Sequence, residues 1–360
     1  MTTVPTTPRR GSRDASPRPS SADRHTPGHP VRLDRVLLVV TAASAAGLYV
    51  LSLRKSHPES LSDLRQLLVA ALGWLHGSNP YEAVRVWGHW PFPLLYPLPA
   101  VILVAPLAIL PSWIAETVFT STGAAWLAWV LTRDRVASPR LLAFASAPFI
   151  HAVALSQWSP VLTAAALVPW AGFVLVCKPN IGLALFAAFP SRRAAATAAA
   201  MVGSSCLLFP GWAWEWRDAL RHAPNALILA TLPGGFLLVL SAAKWRRPEA
   251  RLLLALACIP QTTLAYEALP LFLIADSWTE AAILWAGTAA AFLGHAQGGP
   301  YPSQWAWVRA SGLWLLYCAY LPCLVVVLRR PNVGPGDQLS VSTADAPPTA
   351  SPATARLSLD

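Results

Sequence analysis

Residues 93–131 read PLLYPLPAVILVAPLAILPSWIAETVFTSTGAAWLAWVL, and Glu116 is the one charged side chain among them. At about 20 residues per crossing of roughly 30 Å of hydrocarbon, this run predicts two membrane spans, 93–110 and 112–131. The rest of the chain agrees. Of its 360 residues 55% are hydrophobic and 12% charged, whereas a soluble domain carries about 25% charged. The 17 Trp and 34 Pro fit the same reading, since Trp concentrates at membrane interfaces and Pro is commoner in membrane helices than in soluble ones. Soluble Rossmann and TIM-barrel enzymes, disordered chains, collagen-like repeats and disulfide scaffolds are excluded. A formal charge of +10 invites a nucleic-acid partner. The Lys and Arg lie in tails and loops between apolar runs, however, where they orient membrane helices, so no nucleic acid is expected. The five cysteines sit in or beside apolar runs without metal-site spacing, and read as inert thiols.

Working outward, further apolar stretches occupy 35–53, 141–156, 159–176, 181–190, 194–211, 226–243, 251–274, 280–297 and 305–328. The predicted fold is an all-α polytopic transmembrane bundle spanning 35–330 as one domain. Tails at 1–34 and 331–360, rich in Ser, Thr and Pro, are expected to be disordered and cytoplasmic. Arg32, Arg35, the pair Arg192/Arg193, the cluster Lys244 to Arg251 and Arg329/Arg330 should all face the cytoplasm. Counting crossings from the first span satisfies these sites only if 251–274 breaks near Pro260 and Pro270 and returns as two half-helices. Broken helices are tolerated where they are buried in protein or line a polar cavity. The same count leaves Arg133, Arg135 and Arg140 on the outside, against the charge rule, and puts Gln157 near the cytoplasmic end.

The loop between the first two spans carries the most chemistry. SLSDLRQLLVAALGWL (60–75) places Leu64, Leu67, Leu68, Ala71, Leu72 and Leu75 at helical spacing, an amphipathic helix lying on the membrane surface. Ser60 or Ser62 could cap it. Asp63 in its first turn either serves the helix dipole or, at the outer membrane face, acts as a general base on a hydroxyl. A turn, HGSNPY (76–81), and the proline-rich HWPFPLLYPLP (89–99) follow; four prolines cannot all join a regular helix. Tyr81, Trp90 and Tyr96 would each serve as an interfacial anchor. Of the charged groups in apolar runs, Glu116 reads as solvated near the cytoplasmic boundary, and His151 as paired inside the bundle.

Several of these segments together resemble glycosyltransferase family 87, the polyprenyl-phosphate-mannose-dependent membrane mannosyltransferases of the C-type superfamily. The resemblance rests on SDL (62–64), GSNPY (77–81), LYPLP (95–99), SQWSP (156–160), CKPN (177–180) and AYEAL (265–269), in the family's order over roughly residues 35–275. The family's patterns are Asp-aromatic, Gly-x-(Asp/Asn)-Pro-Tyr, Tyr-Pro-Pro, Gly-Gln-x-Asn, Lys-Pro and Tyr-Asp-x-x-Leu. This chain departs from them at Leu64, Leu98, Ser156, Ser159 and Glu267.

The resemblance implies an extracytoplasmic active site. There Asp63 would deprotonate an acceptor hydroxyl attacking a sugar, most simply mannose, carried on a polyprenyl phosphate. Lys178, and behind it His295 beside Tyr301, would meet the donor phosphate. Tyr81, His89, Tyr96, Gln157, Tyr266 and Glu267 are the substrate-binding candidates. The implied partners are the lipid-linked donor, a lipid or glycan acceptor, and membrane lipids. No metal or cofactor is required, since the donor brings its own phosphate and no Asp-x-Asp or His cluster occurs. The 212–225 loop reads as an interfacial Trp belt on the acceptor side. A non-catalytic transporter or lipid carrier, or an inactive relative, are the alternatives.

Overall fold

A computed structural model describes residues 33–332 apart from 59, 61, 88, 89, 91, 224 and 225. Of the expected tails, residues 1–32 and 333–360 lie outside the described residues, as does His89, while Leu33 and Asp34 already belong to the first helix. Within them the chain is all-helical, with a single isolated antiparallel bridge between Leu227 and Gln261. Three helices are long and apolar enough to cross a membrane, Leu33–Ser56, Ser112–Leu131 and Gln304–Arg329; a fourth is possible if Arg192–Leu208 and Trp212–Arg221, bent by 99°, count as one span.

The first helix, α1 (Leu33–Ser56), packs antiparallel on α5 (Ser112–Leu131). Gly47 permits their close approach, because a Cβ there would run into the Ser121 hydroxyl. Arg35 donates to the Trp129 carbonyl at 2.7 Å at one end of this pair, and Arg54 bonds Glu116 at the other. These contacts define a far end and a site end of the bundle. Between α1 and α5 come α2 (Asp63–Leu75), α3 (Pro80–Trp87) and α4 (Leu98–Val104). Ser62, the second of the two expected cap residues, caps α2 by accepting from the Arg65 amide. The side chain of Gln66 on α2 holds the proline-rich segment through the Phe92 and Pro93 carbonyls, both at 3.1 Å.

The expected span 93–110 does not form. Prolines cut it to α4 and a 3-10 turn ending at Leu107, ten residues that cover only about 15 Å. Its start at Tyr96 bonds Asp63, and the Glu116 that follows it bonds Ser62, so it enters and leaves at the site end. The chain then crosses to the far end once, through α5. Arg140 therefore sits at the far end, donating to Asp276 at 2.8 Å within a cluster where Arg330 meets Glu249, Asp276 and Glu280. This removes the conflict over the 133–140 arginines.

From Arg140 a 3-10 helix, Pro139–Ala145, and α6 (Ala147–Ala154) return to the site end. Helix α7 (Ser159–Ala166) and α8 (Gly172–Leu175) then fold back on themselves, since Gln157 before them and Lys178 after them are bonded. Stretch 159–176 is therefore not a span either. Helix α9 (Pro179–Ala188) runs to the far end, where Arg251 holds the Ala187 and Ala188 carbonyls. Gly182 lets α9 lie against α8, whose Leu175 carbonyl would collide with a Cβ.

Helices α10 (Arg192–Leu208) and α11 (Trp212–Arg221) lead back to the site end, where Trp216 bonds the Leu95 carbonyl at 2.9 Å. A 3-10 helix, Gly235–Lys244, precedes α12 (Pro248–Cys258), which breaks as expected near Pro260. Backbone freed by the break is paired with Leu227 at Gln261, and the Thr263 carbonyl accepts from the Ser311 hydroxyl, which is what non-helical chain in an apolar surround requires. A 3-10 helix, Ala265–Leu273, returns the chain to the far end. The bundle closes with α13 (Trp278–Gln297), α14 (Gln304–Leu315), a π turn at Leu316–Tyr320 and α15 (Leu321–Arg329).

Candidate functional site

Asp63 is the first residue of α2. Its amide donates to the Leu155 carbonyl at 3.2 Å, which ties the helix start to the end of α6. Its carboxylate faces inward, with Oδ2 accepting from the Tyr96 hydroxyl at 2.9 Å and from the Gln157 side-chain amide. Capping falls to Ser62, so the Asp63 carboxylate is left free of that duty.

Gln157 follows Ser156, whose φ of 51° lies in the left-handed region, a conformation glycine takes at less cost. That turn aims the Gln157 side chain at Asp63. The expectation that Gln157 lies at the opposite end is thus overturned, because 93–110 turns back where the sequence count had it cross. Lys178, at the turn into α9, donates to Gln157 Oε1 at 2.7 Å and to the Tyr266 hydroxyl at 3.2 Å. Its ammonium also stands 4.3 Å from the Tyr266 ring centre. Burial pushes its pKa below the ordinary lysine range, against the opposing pull of Asp63 and Glu267.

The Gln157 carboxamide therefore joins carboxylate and ammonium, and the Tyr96 hydroxyl, which donates to Asp63, also accepts from Lys178 at 3.5 Å. Neither ion touches the other; each is held by neutral groups. Glu267 is buried alongside, with Oε1 accepting from Asn180 at 2.9 Å. The His151 ring lies 5.6 Å from that of Tyr266, with Nδ1 buried and unpartnered.

The structure thus brings together Asp63, Tyr96, Gln157, Lys178, Tyr266 and Glu267. Tyr81 stands one layer back, its hydroxyl donating to the Tyr96 carbonyl at 3.3 Å; burial, with Glu215 nearby, pushes its phenol up. His295 belongs to another cluster, stacked on Tyr301 at 4.8 Å and edge-on to Trp307. Sequence reasoning missed Asn180, although CKPN named the segment, and misjudged Glu116. That residue is not solvated: it is fully buried and paired with Arg54 at 2.6 Å and Arg65 at 3.0 Å. Its position opposite the arginine that ends α1 was the available signal.

Next to the site lies an apolar cavity of about 440 Å³, walled by Pro97, Leu175, Pro179, Leu183, Phe186 and Trp216 among others. Two of these, Pro97 and Pro179, directly follow Tyr96 and Lys178. Among the described residues no group of His, Cys, Asp and Glu side chains is arranged to hold a metal ion. No protein-family model matches the chain, and neither curated proteins nor solved structures provide a match.

Proposed function

We propose that this chain is a multi-pass membrane glycosyltransferase of the C type. It moves a sugar, mannose by the family resemblance, from a polyprenyl phosphate to an envelope lipid or glycan on the extracytoplasmic side. The observation that carries the reading is the pair of opposite charges, Asp63 and Lys178, spaced by the Gln157 carboxamide, with an apolar cavity walled by the prolines that follow Tyr96 and Lys178. Glycosyl transfer from a phosphate is helped by one group that takes the acceptor proton and another that meets the charge on the leaving phosphate.

In the step proposed, the acceptor oxygen bonds to the anomeric carbon with inversion and passes its proton to the Asp63 carboxylate. The bond from that carbon to the phosphate oxygen breaks, and its electron pair leaves with polyprenyl phosphate, which gains one negative charge. The Lys178 ammonium meets that charge in a water-poor site, where a fixed cation counts for most. The first isoprene units occupy the apolar cavity, so the phosphate falls beside Lys178. Ser156 supports the resemblance too, because the family pattern has Gly where this chain holds a left-handed backbone.

Sidedness follows from charge. Arg35, Arg140, Arg251 and Arg330 lie at the end opposite the site, which supports reading that end as cytoplasmic by the charge rule. On this reading α2 belongs to the outer side, with Leu64, Leu67, Leu68 and Ala71 buried against the protein and only Leu72 and Leu75 of its apolar face exposed.

Purified full-length protein in proteoliposomes, given radiolabelled polyprenyl-phosphate mannose and an envelope lipid extract, is expected to move label into a new lipid or glycan of inverted anomeric configuration. Label that enters the lumen with no new glycosidic bond would instead establish a carrier.

A further inference from the structure

Ser62 and Asp63 are consecutive, yet they feed different clusters. Asp63 turns into the site; Ser62 turns back toward α5 and donates to Glu116 Oε1. Glu116 also accepts from Arg65 Nε at 3.0 Å and Arg54 Nε at 2.6 Å. Arg54, itself buried, reaches the Ser60 hydroxyl at 2.6 Å and the Ala154 carbonyl at 2.8 Å. Ala154 ends α6, and the next carbonyl, that of Leu155, accepts the Asp63 amide. The cluster thus grips both segments that deliver the site: the loop entering Asp63 and the turn entering Gln157.

A buried ion pair adds little net stability over an apolar replacement, and fixing one geometry is its better-attested use. We propose that Arg54, Glu116 and Ser62 are positioning residues that hold Asp63 and Gln157 in register for the transfer step. The inference rests on the function proposed above. It adds a lock outside the reacting groups: the polar contacts of Glu116 are Arg54, Arg65 and Ser62, and none of them is a side chain of the site.

Ser62→Ala removes one strand of the lock and leaves the Arg54–Glu116 pair whole, so the chain keeps its fold. Ser62→Thr restores the hydroxyl. Ser277→Ala, which removes the cap of α13, controls for the loss of a helix cap away from the site. Hydrogen exchange at the amides of 63–66 and transfer kinetics are measured on the full chain in proteoliposomes. Ser62→Ala should exchange these amides about tenfold faster and lose about tenfold in kcat with the donor KM unchanged. Ser62→Thr should rescue both, and Ser277→Ala should move neither. Unchanged exchange and kcat in Ser62→Ala overturns the lock, as does an equal loss in Ser277→Ala. Should the unsubstituted chain transfer no sugar, the catalytic reading fails separately, and the exchange measurement still supports or overturns the lock.

Discussion

At Ser62 the chain enters a closed cluster, where the Glu116 carboxylate meets two guanidinium groups directly. At Asp63 it enters an open one, where carboxylate and ammonium each meet a different atom of the same Gln157 amide. Direct contact with two guanidinium groups occupies the Glu116 carboxylate and leaves it little for a substrate to meet. Separation by a neutral amide preserves a carboxylate able to take a proton and a cation able to meet an anion, at the cost of burying both. Adjacent residues thus divide holding from reacting, and substitutions in the two clusters should fail in different ways.

The largest expected effect is on the closed cluster. Glu116→Gln leaves Arg54 buried without its counter-charge and should lose about 3–5 kcal/mol of stability, read as loss of folded protein in detergent on heating. In the open cluster, Lys178→Met should keep the fold and lower kcat by about 10²–10³. Titration sharpens the contrast, because burial lowers the Lys178 pKa. Between that value and the ordinary lysine range the unfolded chain binds more protons, so stability rises with pH. Over the same window the cation is lost and transfer falls. Parallel melting and rate profiles against pH would show the two curves diverging, and Lys178→Met should abolish the divergence.

A smaller change is expected from Tyr96→Phe, which deletes one donor to Asp63. A hydrogen bond to a charged group contributes about 1.5–3 kcal/mol, which should appear in kcat more than in the melting temperature. Arg85→Ala sets the lower bound. Its exposed pair with Glu82 spans one helical turn and should shift stability by less than about 1 kcal/mol, with unchanged transfer.

How much of this is legible in the sequence differs by region. Helices α1 and α5 are long, apolar and uninterrupted, so length alone locates them. The cap at Ser62 and the break near Pro260 follow from local chemistry, whereas Glu116, read from its position as solvated, is buried against arginines that precede it by 51 and 62 residues. The meeting of Asp63 and Gln157 is not local. It depends on 93–110 turning back, as 159–176 does again farther along, and composition does not distinguish a returning apolar stretch from a crossing one. Each miscounted crossing reverses every later side, which is why Arg133 to Arg140 conflict with the charge rule. The second miscount cancels the first, so Lys178 and Arg192/Arg193 still fall at their correct ends. Prolines 97, 99, 106 and 111 were the physical warning against a continuous helix in the first stretch.

The central claim is that one carboxylate takes the proton from the acceptor. Its most direct test compares the full chain with Asp63→Asn, matched for folded protein by melting, in transfer of labelled sugar from polyprenyl phosphate. The amide keeps the shape and an acceptor oxygen for Tyr96 but cannot serve as a base, so transfer should fall by about 10²–10⁴. Equal transfer by the two proteins would contradict the account.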